Sequence, residues 1–343
     1  MGRFLTALAL IAGATTLAVS APAAVAEAAQ KPPPGVGIRL VDVPVATAAD
    51  LRARSYIIDS VAPGTVIQRR VEVSNGTKTT AHVSVYPGAA QIRGGTFIGA
   101  EGHTQNDLAS WISLNPPAPV LGPQQRAFVN VTIKVPRQAS RGERYGVVWA
   151  EVTNSSPNGG VTRVNRVGIR IYLAVGPGGA PPSDFTITSL TAERDPQGTP
   201  LLQATVRNTG ERALDLSARL TLTKGPGGLS AGPFTSHDST TLGLGQSAPV
   251  TVPLNQALPR GPWLARVTVT SGLDKRTAQA TVTFPAKTGA SAPTPVQSGG
   301  IPWWAWALAA TLILVLLLTA LAAILRRRSN QRRETLPVAG TNS

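Results

Sequence analysis

Val129-Asn130-Val131-Thr132-Ile133-Lys134-Val135 alternates apolar and polar side chains without a break. A β-strand turns successive side chains to opposite faces, so this period of two sends Val129, Val131, Ile133 and Val135 to one side and Asn130, Thr132 and Lys134 to the other. The same rhythm recurs at Val71 and Val73 around Glu72, at Val167, Ile169 and Ile171 around Gly168 and Arg170, and at Val267 and Val269. Turn pairs punctuate these runs at Pro63-Gly64, Asn75-Gly76, Pro87-Gly88, Gly94-Gly95, Asn158-Gly159 and Gly225-Pro226. No long amphipathic helical pattern interrupts them. The pattern predicts an all-β chain of half-buried antiparallel strands.

Working outward, the Gly/Pro run Gly176 to Pro182 divides two tandem immunoglobulin-like β-sandwich domains, 36–176 and 183–285, which repeat one another. Val71-Glu72-Val73-Ser74-Asn75-Gly76 matches Ala204-Thr205-Val206-Arg207-Asn208-Thr209-Gly210. Leu121-Gly122 before one strand matches Leu244-Gly245 before another, and Arg141-Gly142 matches Arg260-Gly261. Asn suits the strand-ending turn, because its side chain bonds neighbouring backbone.

The two ends predict an address. Residues 1–26 read as a signal peptide, with Arg3, an apolar stretch from Leu5 to Val19 and the small-residue site Ala24-Val25-Ala26. A Pro-rich spacer covers 27–35, and a Pro/Ser/Gly stalk covers 286–302. Residues 303–325 carry no charge and are long enough to span a bilayer as a transmembrane helix. Trp303, Trp304 and Trp306 at its start and Arg326, Arg327 and Arg328 at its end are the expected anchoring residues. The tail 326–343 is basic. The expected topology is a single-pass cell-membrane protein with its bulk outside and its tail inside.

Composition narrows the function. The 343 residues include no Cys, which excludes thiol enzymes, disulfide scaffolds and cysteine-ligated zinc. Arg and Ala/Gly/Pro abundance points to a GC-rich bacterial genome, an actinobacterium. The formal charge is +15, of which +10 falls in residues 27–325 once Arg3 and the tail are removed. On the expected topology that surplus lies outside the cell, so nucleic acid is a poor partner. Anionic envelope polymers or headgroups are better ones, and a merely solubilising surface is the plain alternative.

Catalysis calls for clustered acids, bases or nucleophiles, and none stands out. His82, His103 and His237 lack ligand spacing, so no metal or cofactor is expected. Gly228-Leu229-Ser230-Ala231-Gly232 fits the G-x-S-x-G pattern without its strand-to-helix context. Leu336-Pro337-Val338-Ala339-Gly340 is sortase-like but falls after the Arg block. Asn75, Asn130 and Asn154 begin sequons by pattern, with structural roles expected for Asn75 and Asn130. Trp111, Tyr145, Trp149 and Trp263 serve either core packing or stacking on sugars; for Trp111 and Trp149 core packing is the favoured reading. Arg137, Arg141, Arg144, Arg163, Arg166 and Arg170, with Tyr145, form the candidate binding set, since guanidinium forks suit carboxylates and phosphates.

The wording of residues 55–176 resembles a known family. Ala62-Pro63-Gly64-Thr65, Asp107-Leu108-Ala109-Ser110-Trp111-Ile112, Val135-Pro136 and Gly142-x-x-Tyr145-Gly146 are similar to the peptidoglycan-binding module of WxL-interacting cell-surface proteins. The resemblance implies a membrane-anchored surface protein whose first sandwich binds peptidoglycan or another anionic wall polymer, with a WxL-bearing surface protein as partner. The alternative is a protein–protein adhesion or assembly module that uses exposed strand edges.

Overall fold

The computed structural model describes residues 35–47, 49–154, 162–255, 257–298 and 311. The expected signal peptide, residues 27–34 of the spacer, the span 303–325 apart from Thr311, and the tail lie outside the described residues. So do Trp303, Trp304, Trp306, Arg326, Arg327 and Arg328.

Residues 35–298, where described, are built on β-strands in two tandem immunoglobulin-like sandwiches. In the first, a four-stranded sheet runs Val36–Leu40, Val66–Asn75, Arg126–Lys134, Ile112–Asn115. A five-stranded sheet faces it in the order Ile57–Val61, Arg163–Val175, Gly142–Asn154, Ser84–Arg93, Thr96–Gly99. Ile57–Val61 pairs parallel to its neighbour; the other pairings in these two sheets are antiparallel. The alternation at 129–135 turns as expected: Val129, Val131, Ile133 and Val135 are buried in the core between the sheets, while Asn130 and Lys134 are exposed.

The second sandwich pairs Ser247–Pro253, Pro200–Asn208 and Phe185–Arg194 in one sheet. The other holds Ala231–Thr235, Leu214–Thr223, Trp263–Ser271 and Asp274–Val282. Phe185, Leu190, Leu216, Val250, Trp263 and Phe284 fill its separate core. Trp263 is 1% exposed and donates its indole N–H to the Pro259 carbonyl at 2.9 Å.

The repeat is visible atom by atom. Asn75 Nδ2 donates to the carbonyls of Thr79, Leu121 and Gly122, and Asn208 Nδ2 to those of Arg212, Leu242 and Gly243. Gly122 N–H donates to Gln125 Oε1 as Gly243 N–H does to Gln246 Oε1. Each Asn is 1% exposed and gathers carbonyls that turn inward at the end of a strand and need donors. Leu121-Gly122 therefore corresponds to Leu242-Gly243, and the sequence pairing with Leu244-Gly245 is displaced by two residues.

Residues 289–298, read from composition as stalk, lie along the second sandwich. Gly289–Ala290 and Thr294–Pro295 pair antiparallel with Phe185–Arg194, and Gln297–Ser298 pairs with Asp274–Val282. Val296 packs against the core.

Candidate functional site

The densest polar construction among the described residues is the seam between the sandwiches. Strands of the first sandwich bring Glu143, Tyr145, Arg170 and Tyr172 to it, because odd residues on Gly142–Asn154 and even residues on Arg163–Val175 share the outer face of the five-stranded sheet. The short 3-10 helix Leu51–Arg54, capped by Asp50, adds Arg52. The second sandwich supplies Ala213, Asp215, Thr241 and Ser271.

Asp215 is the hub. Its Oδ1 accepts from Thr241 Oγ1 at 2.7 Å, Tyr172 Oη at 3.2 Å and Arg170 Nη1 at 3.3 Å. Arg52 forks onto Asp50, donates to the Ala213 carbonyl at 3.2 Å and stands 3.7 Å from Asp215 Oδ2. Its Asp50 and Asp215 partners outweigh burial and raise the Arg52 pKa. Glu143 Oε2 accepts from Tyr145 Oη at 2.7 Å and from the Ala213 N–H at 2.6 Å. Burial pushes the Glu143 carboxyl up to about 7, against the pull of Tyr145, Ala213 N–H, Arg52 and Arg212. Burial also raises Tyr145 and Tyr172 well above the ordinary phenol range.

Apolar contact and backbone bonds complete the seam. Ile92, Phe97, Val147, Tyr172 and Ala213 cluster there, and Thr241 N–H donates to the Gly95 carbonyl at 2.8 Å. Gln246 Nε2 donates to the Ile92 carbonyl at 3.1 Å. At the rim, Arg141 meets Glu211 at 3.4 Å beside a cleft of about 600 Å³ lined by Glu143, the strand end at Ala174 and Val175, and the linker 176–182.

The candidate Arg set does not converge. Arg170 and Tyr145 are consumed by the seam, with the Arg170 guanidinium 4.9 Å from the Phe97 ring centre and 5.1 Å from that of Tyr56. Arg141 sits at the rim. Arg144 lies 5.0 Å over Trp111 and donates to Ser140 Oγ. Arg166 lies 4.4 Å over Trp149 on the outer face of the five-stranded sheet, and Arg163 and Arg137 are exposed elsewhere. Trp111 is half-buried against the core. Trp149 lies flat on the sheet, where a Cβ on Gly99 or Gly168 would meet its ring at 2.4 or 2.7 Å. The residues that sequence reasoning missed are Asp50, Arg52, Glu143 and Asp215. Only the outward parity of Glu143 and Tyr145 on one strand signalled a second face in need of cover.

No protein-family model matches the sequence, and no curated protein does. Among solved structures, similar folds include the class 5 fimbriae chaperone CfaA, at 9% identity over 71% of this chain and 99% of that one, TM-score 0.36. A Salmonella enterica SafA pilin–SafB chaperone complex gives 12% identity, 77% and 96% coverage and a TM-score of 0.38. The periplasmic chaperone SfaE gives 11%, 76% and 98%, and 0.32.

These findings correct several expectations. The resemblance to WxL-interacting proteins is not upheld: no matching family model supports it. Binding of peptidoglycan or another anionic wall polymer is withdrawn with it. The physical reason is that the guanidinium set proposed to grip the polymer is scattered, and its most enclosed member is already paired to Asp215. The single-pass, surface-anchored placement is withdrawn as well: among the described residues no helix is long and apolar enough to cross a membrane, and the expected span 303–325 lies outside them apart from Thr311.

Proposed function

We propose that the chain is a protein–protein recognition or assembly module without catalytic chemistry of its own. The observation that supports this reading is the seam. A network of buried charges and hydrogen bonds, centred on Asp215, ties two sandwiches into one orientation. Buried polar networks add little net stability but impose a single geometry, because any other arrangement leaves desolvated charges unpaired. A binding scaffold that offers a composite surface needs such a fixed angle. Around Asp215 the polar side chains Arg170, Tyr172 and Thr241 are directed at one another across the seam.

The test is cross-linking mass spectrometry on the full-length chain in its native host extract, beside Asp215→Ala. Reproducible cross-links to one protein, lost when the seam is broken, support the reading. Turnover of a small-molecule substrate by the purified chain, with no protein captured, would overturn it.

A further inference from the structure

The outer face of the four-stranded sheet carries polar side chains that the fold does not use. On Val66–Asn75 the buried residues are Ile67, Val71 and Val73, so Gln68 and Arg70 face outward. By the same parity Phe128, Asn130 and Thr132 face outward on Arg126–Lys134, and Ser113 and Asn115 on Ile112–Asn115. The registers align them. Arg70, Asn130 and Asn115 form one row across three strands, and Gln68, Thr132 and Ser113 form the next. Neighbouring strands stand about 4.8 Å apart, so each row is closely spaced. A groove of about 470 Å³ lies over this lattice, with Asp42 beside Arg70 in its wall.

Asn130 is the informative residue. Asn is poorly suited to the interior of a strand. Asn75 and Asn208 end their strands and each bond three carbonyls. Asn130 stands exposed on a strand with neighbours on both sides. Among the described residues its side chain makes no hydrogen bond, and neither do those of Gln68, Asn115 and Thr132. Residues that break a local rule without a structural return concentrate at functional sites.

The chemistry of the lattice selects a ligand. A carboxamide sets an acceptor oxygen beside a two-donor nitrogen, and a hydroxyl serves as both. An anion calls for donors alone. The charges that line the groove, Arg70 and Asp42, neutralise each other through a forked bridge with contacts of 2.8 and 3.0 Å. A protein segment calls for apolar anchors at the centre of its site, and this groove is polar there. The vicinal hydroxyls of a sugar offer a donor and an acceptor side by side, which the lattice matches. At its border Phe128 is 55% exposed, with the Arg70 guanidinium 5.8 Å from its ring centre. An exposed ring beside paired amides suits the C–H face of a sugar.

We infer that this groove binds a short neutral oligosaccharide, held by Gln68, Asn115, Asn130 and Thr132 and bordered by Phe128. The site shares no residue with the seam or with the scattered guanidinium set. It adds saccharide recognition to the protein-recognition reading without depending on it.

The test places the full-length chain, coupled to fluorescent beads so that weak contacts add, on an array of neutral and anionic oligosaccharides. Calorimetry of the soluble chain follows with the glycan retained best. A neutral glycan should be held through high salt, because no net charge binds it. Asn130→Val should weaken its Kd by about tenfold or more, the worth of a lost hydrogen bond. The same variant should melt no lower than wild type, since Val suits a strand better than Asn. Arg163→Ala, outside the groove, should bind as wild type does. A preference for anionic glycans that salt abolishes would overturn the proposal, as would binding that Asn130→Val leaves intact or an array that retains nothing. A sugar already attached to Asn130, read from the intact mass of the native chain, would make the groove the seat of a covalent glycan and overturn it too.

Discussion

Glu143 and Ala213 belong to different sandwiches, and the Glu143 carboxylate accepts the Ala213 N–H at 2.6 Å. Burial raises this carboxyl from 4.5 to about 7 in the closed seam. Once the seam opens, water restores the ordinary value, so the docked state holds the proton more tightly than the open one. Docking is strongest below about 4.5 and weakens as pH rises through about 7, by up to about 3 kcal/mol. Melting curves of the full-length chain across that window should show the decline. Glu143→Gln keeps an acceptor for Ala213 and should flatten the profile; a wild-type profile already flat would remove Glu143 from the seam's energetics.

Asp215 answers to Arg170, Arg52, Tyr172 and Thr241 at once, with its side chain 6% exposed. Asp215→Ala takes the shared carboxylate from Arg170, Tyr172 and Thr241, while Arg52 keeps its fork onto Asp50. Breaking a buried pair from one side costs about 3–5 kcal/mol, far above a surface bridge at about 0–1 kcal/mol. Denaturant unfolding should record that loss. Glu211→Ala, which breaks the exposed rim bridge to Arg141, should fall within about 0.5 kcal/mol of wild type.

Asn75 and Asn208 each feed three backbone carbonyls from within their own sandwich. Replacing either by Ala removes that shared donor, while Gly122 and Gly243 keep the N–H groups of Gln125 and Gln246; the cost is about 1–3 kcal/mol for a buried acceptor left unsatisfied. The two substitutions should cost similar amounts, as expected of a repeated plug. Strongly unequal losses by calorimetry would mean the correspondence is one of shape alone.

What the sequence disclosed follows from which forces are local. Strand parity at 129–135 and the strand-ending Asn are written in neighbouring residues, so fold class and repeat were legible. The seam was not. Arg170 looked like one more exposed cation because its partner Asp215 is distant in the chain and meets it only when two sandwiches dock. Tyr145 and Glu143 share a strand face that reads equally as solvent-facing or as an interface. Residues 289–298 read as stalk because Pro and Ser disfavour strands in general; here Pro295 sits in a two-residue edge pairing, where a missing donor costs little.

Gly168 offers a test of how Trp149 is held. Glycine within a strand is ordinarily a weakness, and replacing it by Ala gains about 0.5–1 kcal/mol. At Gly168 a Cβ would come within 2.4 Å of Val147 Cγ1 and 2.7 Å of the Trp149 ring. That ring has Arg166 stacked 4.4 Å above its other face. Neither Val147, 2% exposed, nor the pinned indole can retreat, so overpacking at about 1–3 kcal/mol wins over the propensity gain. Gly168→Ala should therefore destabilise and shift Trp149 emission. Gly176→Ala, where a Cβ meets nothing within 4 Å, should be neutral or slightly stabilising. If both variants gain stability, the indole is not seated on the strand at residue 168, and the outer face of the sheet is looser than its close contacts require.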